Sequence, residues 1–228
     1  MNENAILRTI IPISLIGDSQ TGKTCIVSTF NGIKFNEKNI SSIGVDFLVK
    51  EIQMKNGIKL KLKIWDTAGQ EIYHSMALNC LKNVLGIIYI FDVTNKNTLN
   101  SINKWVKEVN ETIMADKLPS FLVGNKIDLE EDREVSQEEG ENLAEQYGFK
   151  YMETSAKTNK NINELFIELA EDIYNNFKNE FPQPNIILNK NDQIKTEKKK
   201  CCGNSKKKNK NKNKNDIINN NDDIKEKE

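Results

Sequence analysis

Eight residues, GDSQTGKT at positions 17–24, restrict what this chain can fold into more than any other stretch. They fit the pattern G-x-x-x-x-G-K-[ST], and they follow a short apolar run, IIPISLIG at 10–17, where a strand gives way to a helix. Phosphates need several backbone N–H donors converging on one point, and a glycine-containing loop at a helix N-terminus supplies them. The loop from Gly17 through Asp18, Ser19, Gln20, Thr21 and Gly22, with Lys23, Thr24 and Cys25 after it, is therefore the expected cradle of a polyphosphate. Lys23 adds a point charge for the β- and γ-phosphates, and Thr24 a hydroxyl ligand for Mg2+. By itself the loop implies a nucleoside triphosphate and leaves the base open.

The rest of the chain repeats the strand–helix rhythm. VLGIIYIFDV (84–93) and SFLVGN (120–125) are again short and apolar, as expected of strands covered on both faces. Leu99, Ile102, Val106, Val109 and Ile113 recur at helical spacing, as do Ile162, Leu165, Phe166, Leu169, Ile173 and Phe177. Ser136 and Glu139 have the S-x-x-E form of a capping box and open a helix that ends near Gly148. One stretch departs from this. VDFLVKEIQMKNGIKLKLKIWD (45–66) sets Asn56-Gly57 between two alternating segments, which is a hairpin signal. The expected fold class is α/β: a mostly parallel six-stranded sheet with one antiparallel strand and helices on both faces.

GNKIDL (124–129) follows a strand and supplies discrimination between bases. Guanine presents two neighbouring donors, N1–H and the N2 amino group, which one carboxylate can accept as a pair. Asp128 is placed for that, and adenine would leave it unpaired, so such a site rejects the wrong base strongly. Asn125 is expected to brace the loop, and the aliphatic stem of Lys126 to cover the base. ETSAK (153–157) follows a further strand and offers backbone N–H groups from Ser155, Ala156 and Lys157 to the guanine carbonyl.

Charge divides the chain. The formal net charge is zero, yet residues 195–214 carry ten lysines against one glutamate, so the body before them is mildly acidic. After about residue 179, Asn and Lys dominate and aromatics are nearly absent, so little apolar burial offsets the entropy of ordering. The expected organisation is an N-terminal extension at 1–8, a folded domain at 9–178 and a disordered Asn/Lys-rich tail at 179–228. Four cysteines, two of them adjacent, do not make a disulfide framework and fit a reduced, cytoplasmic protein. No stretch approaches the roughly 18 apolar residues of a membrane span.

GDSQTGKT, SSIGVDF, WDTAGQE, GNKIDL and ETSAK, in this order and approximate spacing, resemble a Rab-type small GTPase of the Ras superfamily. The resemblance covers residues 9–178, and the I-G-V-D-F and W-D-T-A-G-Q-E strings favour Rab over Ras, Rho or Arf relatives. It implies a P-loop NTPase G domain that binds GTP or GDP with Mg2+ and hydrolyses GTP slowly, switching vesicle traffic between on and off states. Partners implied are an exchange factor, an activating protein and effectors, met as a monomer on a cytosolic membrane surface.

The same resemblance assigns roles. Thr24, Ser42 and Asp66 would hold Mg2+, Asp66 through water. Gly69 would meet the γ-phosphate through its N–H, Gln70 would orient the attacking water, and Phe35 would pack against guanine. Ile43, Gly44, Val45, Asp46, Phe47 and Trp65 would form the effector region. Ser42 replaces the usual threonine and keeps its hydroxyl, and Gln20 and Thr21 stand at positions often small in the family. The third member of the effector aromatic triad is Cys80 here, and His74 reads as a surface residue. With no arginine evident as a finger in cis, turnover should take on the order of minutes to hours unless a partner supplies one.

Two features leave alternatives open. Cys201 and Cys202, among lysines, match the paired lipidated cysteines of Rab tails, but 26 residues follow them. Prenylation, palmitoylation and purely electrostatic membrane binding all remain readings of this segment. The lysine run also raises nucleic-acid binding, which the lack of interleaved aromatics for base stacking argues against. No nucleic-acid partner is expected.

Overall fold

The computed structural model describes residues 9–35, 45–67, 81–113 and 115–181. Six strands form one sheet in the order β2-β3-β1-β4-β5-β6. β1 (Ile10–Ile16) lies parallel to both β3 (Lys59–Thr67) and β4 (Gly86–Asp92). β5 (Ser120–Asn125) and β6 (Lys150–Thr154) continue the parallel order. β2 (Val45–Gln53) alone runs antiparallel, paired with β3 from Val45↔Thr67 to Gln53↔Lys59. Asn56-Gly57 sits in the turn between them, where Gly57 takes φ 83° and the Asn56 Oδ1 accepts the N–H of Ile58 at 3.0 Å. The α/β expectation holds, including the one antiparallel strand.

The α-helices among the described residues are α1 (Lys23–Phe30), α2 (Lys96–Asn100), α3 (Ile102–Thr112), α4 (Gln137–Tyr147) and α5 (Ile162–Asn176). The continuous helical spacing from Leu99 to Ile113 is broken into α2 and α3 at Ser101, and Ile113 has already turned extended. α4 begins as expected: Ser136 Oγ accepts the Glu139 N–H, the Glu139 carboxylate returns to the Ser136 N–H, and Gly148 closes the helix at φ 69°.

Two apolar clusters sandwich the sheet. Residues such as Ile13, Leu15 and Ile88 face α1 and α5, where Phe30 stacks on Phe166 at 4.1 Å between ring centroids. Ile87, Tyr89 and Phe91 face α3 and α4, with Trp105 and Ala144 in that cluster. Every residue of β4 is buried, which accounts for its unbroken apolar run. Packing reaches Phe181, which is wholly buried against Tyr174, three residues beyond the expected domain limit of 178. The remainder of the expected tail, from 182, lies outside the described residues, as does the 1–8 extension.

This topology positions the functional loops. Five strands run the same way, so their C-terminal ends line one edge of the sheet, and the segments after β1, β4, β5 and β6 start there.

Candidate functional site

The loop after β1 closes on its own carbonyls. Lys23 Nζ donates to the carbonyls of Gly17 (2.9 Å) and Asp18 (2.7 Å), and Thr21 Oγ1 donates to the same Asp18 carbonyl at 3.0 Å. Two glycines are required for distinct reasons. A Cβ on Gly17 would lie 2.2 Å from the Ile90 carbonyl oxygen of β4, and one on Gly22 would lie 2.3 Å from the Asn125 side chain. Gly22 also takes φ 94°, immediately before the first turn of α1. Gln20 accepts φ 65°, a left-handed conformation that a non-glycine residue enters at a cost of roughly 1 kcal/mol. The departure noted at position 20 is thus absorbed by the backbone, with the side chain turned to solvent.

Lys23 is 5% exposed. Burial pushes its ammonium down to about 8, against the opposing pull of Asp66 and Asp18. An anion bound by the loop would favour the charged form of this ammonium, so the loop suits phosphate by electrostatics as well as by geometry. Asp66, near the C-terminal end of β3, is 6% exposed and lies in register beside Leu15. The Thr24 hydroxyl and the Asp66 carboxylate are hard oxygen donors. Mg2+ takes one or two such protein ligands and completes its octahedron with water and phosphate oxygens, so these residues fit that ion.

A hydrogen bond that sequence reasoning missed fixes the loop from outside. The Trp105 indole N–H, from α3, donates to Asp18 Oδ1 at 2.8 Å. No local signal in the sequence marks a contact between residues 87 apart.

The loops after β5 and β6 form the second half of the site. Asn125, buried at the end of β5, donates from Nδ2 to the Thr21 carbonyl at 2.9 Å and accepts from Thr154 Oγ1 at 3.2 Å. It therefore ties the loop after β1 to the end of β6. Asp128 Oδ1 accepts from Ser155 Oγ at 2.6 Å, and Ser155 Oγ accepts the Thr158 N–H at 3.0 Å. This fixes one carboxylate oxygen and sets the plane of the group. Thr29 of α1 donates to the Ala156 carbonyl at 3.0 Å, linking the helix behind the phosphate loop to the 155–157 segment. Lys126 takes φ 71°, and its ammonium pairs with Asp92 Oδ2 at 2.6 Å, which holds the stem of this half-buried side chain in place.

A second network also escaped the sequence reading. Arg133 donates to both oxygens of Glu153, at 2.8 and 3.2 Å, and to Glu130 on its other side. Tyr151 donates its hydroxyl to Glu153 Oε1 at 3.0 Å. Hydrogen bonds to Glu153, the largest influence, hold the guanidinium firmly charged, while burial raises the Tyr151 phenol. The arginine thus joins the segment carrying Asp128 to the strand that leads into Ser155.

Of the remaining expected site residues, Cys25 and Phe35 are half-buried and pack against the cluster that contains α1 and α5. Phe47 and Trp65 face each other across β2 and β3, and Val45 and Asp46 lie at the start of β2. Ser42, Ile43, Gly44, Gly69 and Gln70 lie outside the described residues, as do His74, Cys80, Cys201 and Cys202.

Comparison with known proteins agrees with this geometry. A family model described as the Ras family matches residues 13–175. Ras-related protein Rab-8 of Diplobatis ommata is 38% identical over 191 residues, covering 84% of this chain and 90% of the relative. Ras-related protein Rab-8A of Rattus norvegicus is 42% identical over 164 residues, 72% of this chain and 78% of the relative. Ras-related protein Rab-10 of Diplobatis ommata is 41% identical over the same length, 72% of this chain and 81% of the relative.

Proposed function

The chain belongs to the Ras family as a Rab-type small GTPase, and from that premise we propose how its own residues run a GTP-dependent switch. It is a GTP-binding, GTP-hydrolysing switch that resembles the Rab regulators of vesicle traffic. The residue roles are our reading. Gly17 to Cys25 hold the phosphates, with Lys23 on the β- and γ-phosphates. Asp128 takes the two guanine donors on its carboxylate, whose Oδ1 is steadied by Ser155, Lys126 covers the base, and the N–H groups of Ser155, Ala156 and Lys157 meet the guanine carbonyl.

The observation that carries this reading is the Asn125 side chain. Its bond to the Thr21 carbonyl couples the phosphate loop to the base loop through a single buried amide. Recognition of base and of phosphate is then one cooperative event.

In hydrolysis, water attacks the γ-phosphorus as the bond to the β–γ bridging oxygen breaks. Gln70 orients that water, and the Gly69 N–H meets a γ-oxygen. Lys23 and the loop N–H groups take up the charge that develops on the phosphate oxygens. Thr24, Ser42 and, through water, Asp66 would hold Mg2+, which would supply neutralisation of the negative charge on the phosphates. The chemistry rests on positioning and charge, so it is slow until a partner adds a cation.

Ile43 to Phe47 with Trp65 form the effector-binding region, and an exchange factor and an activating protein complete the cycle. The lysine-rich tail, with Cys201 and Cys202 as candidate lipid sites, attaches the protein peripherally to a cytosolic membrane face. Single-turnover hydrolysis tests the enzyme reading. Gln70→Leu should lower the rate at least tenfold while GTP binding persists. Equal rates in the two proteins would leave a nucleotide-binding module that does not cycle.

A further inference from the structure

The hairpin of β2 and β3 carries an outward face that the nucleotide site does not use. Alternation along the strands sets Phe47 and Val49 of β2 on it with Lys61, Lys63 and Trp65 of β3. Large apolar groups are left in water here: Phe47 is 52% exposed and Val49 47%, and Ile10, beside Lys61 on β1, is 45% exposed. Phe47 and Trp65 sit directly opposite in register, with ring centroids 5.4 Å apart and planes tilted by 59°. Tilted aromatic pairs of this kind are common anchors of protein interfaces.

The unusual element is the position of the charge. Lys63 is folded down onto the aromatic pair, its Nζ 4.1 Å from the Trp65 ring centroid and 4.7 Å from that of Phe47. The cation therefore stands inside the apolar patch and not at its rim. Glu51, on the same face, is engaged by Lys59 at 3.8 Å. Among the described residues no carboxylate lies within ion-pair distance of Lys61 or Lys63.

A partner that covers the two rings must also cover Lys63. The ring quadrupoles offset only part of the cost of drying an ammonium, so a purely apolar partner would bury a charge without a counter-ion. A carboxylate brought by the partner removes that cost and adds orientation. The geometry points to an acidic amphipathic protein segment as the partner of this face. Its apolar side chains lie over Phe47 and Trp65, with Asp or Glu over Lys63 and Lys61. This rests on the effector-region reading above and names the chemistry that region selects. An anionic lipid surface is the less suited occupant, because it favours lysines that extend towards head groups, whereas Lys63 is folded back on the rings.

The test uses the full chain loaded with a non-hydrolysable GTP analogue and with GDP, with loading measured separately by fluorescent nucleotide. A library of random 16-residue peptides displayed on phage is the probe, and phosphatidylserine vesicles are a parallel arm. Selected peptides should be enriched in Asp and Glu next to Leu, Phe or Trp, and should bind the GTP-analogue form better. Lys63→Glu should weaken them at least thirtyfold and Lys63→Gln about tenfold, with melting temperatures unchanged. Replacing the peptide's acidic residues by lysine should restore binding to Lys63→Glu. Peptides without acidic bias, peptides indifferent to Lys63→Glu, or no enriched peptides at all would overturn the proposal. So would vesicle binding that is lost in Lys63→Glu while no peptide binds. Failure to load nucleotide would count against the switch itself and is read in a different channel. Acidic peptides that bind both loaded forms equally would keep the partner chemistry and remove the link to the switch.

Discussion

Lys23 shows how one side chain can be placed at a disadvantage that its ligand removes. Holding an ammonium with a pKa near 8 instead of 10.5 corresponds to about 3 kcal/mol against the charged form. Bound phosphates raise that pKa, so binding takes up a proton. Affinity is then full below about pH 8 and falls as pH rises above it, by up to tenfold per unit. Calorimetric titration of GTP at pH 8.5 in two buffers of different ionisation enthalpy should report net proton uptake on binding. No uptake would mean that Lys23 is already charged. Trp105 acts on the same loop from a distance. Trp105→Phe keeps an aromatic side chain and deletes the N–H on Asp18, a charged-acceptor bond worth about 1–2 kcal/mol at this half-buried position. GDP release, followed with a fluorescent analogue, should accelerate roughly five- to thirtyfold. A rate unchanged in Trp105→Phe would make the indole a packing group only.

Between elements, the loops after β5 and β6, which our reading assigns to the base, hold their shape through contacts that neither possesses alone. Each loop is anchored at a strand end, but the relative placement of Asp128 and Ser155 depends on Arg133 bonded to Glu153 and Glu130. Arg133 and Glu153 are 17% and 16% exposed as side chains, and removing one partner of such a pair strands the other charge. Arg133→Met should therefore cost about 3 kcal/mol of stability, roughly 6–12 °C in melting temperature for a domain of this size. It should also weaken GDP at least tenfold while leaving binding of inorganic triphosphate nearly unchanged. Equal losses for GDP and triphosphate would locate the defect in general unfolding and not in the base loops. The hairpin and the capping box, by contrast, were readable from Asn56-Gly57 and from Ser136 with Glu139, because both are closed by residues two to four apart.

At the scale of the molecule, the parallel sheet gathers loops from 17 to 157 along one edge, and a lysine-rich segment with two cysteines follows the folded body. No helix among the described residues is long and apolar enough to cross a membrane, and our reading has the tail attach the protein from one side. Wild-type chain should sediment with membranes, and Cys201→Ser/Cys202→Ser should move most of it to the supernatant. A double variant that fractionates like wild type would remove the lipid reading. Release by high salt would then point to the lysines, each worth about 1 kcal/mol near an anionic leaflet. The sequence by itself determined the succession of strands and helices along the chain, the antiparallel hairpin and the GTP-binding family. Those follow from periodicity and from motifs only a few residues long, whose chemistry is local. Tertiary structure alone decided that Asn125 ties the two loops together, that Trp105 reaches Asp18, that Arg133 bridges two segments, and that Phe181 belongs to the core. These residues meet across 20 to 104 positions of chain, or across a turn that ends a helix. Their pairing is set by how the sheet and helices pack, and no local pattern encodes it.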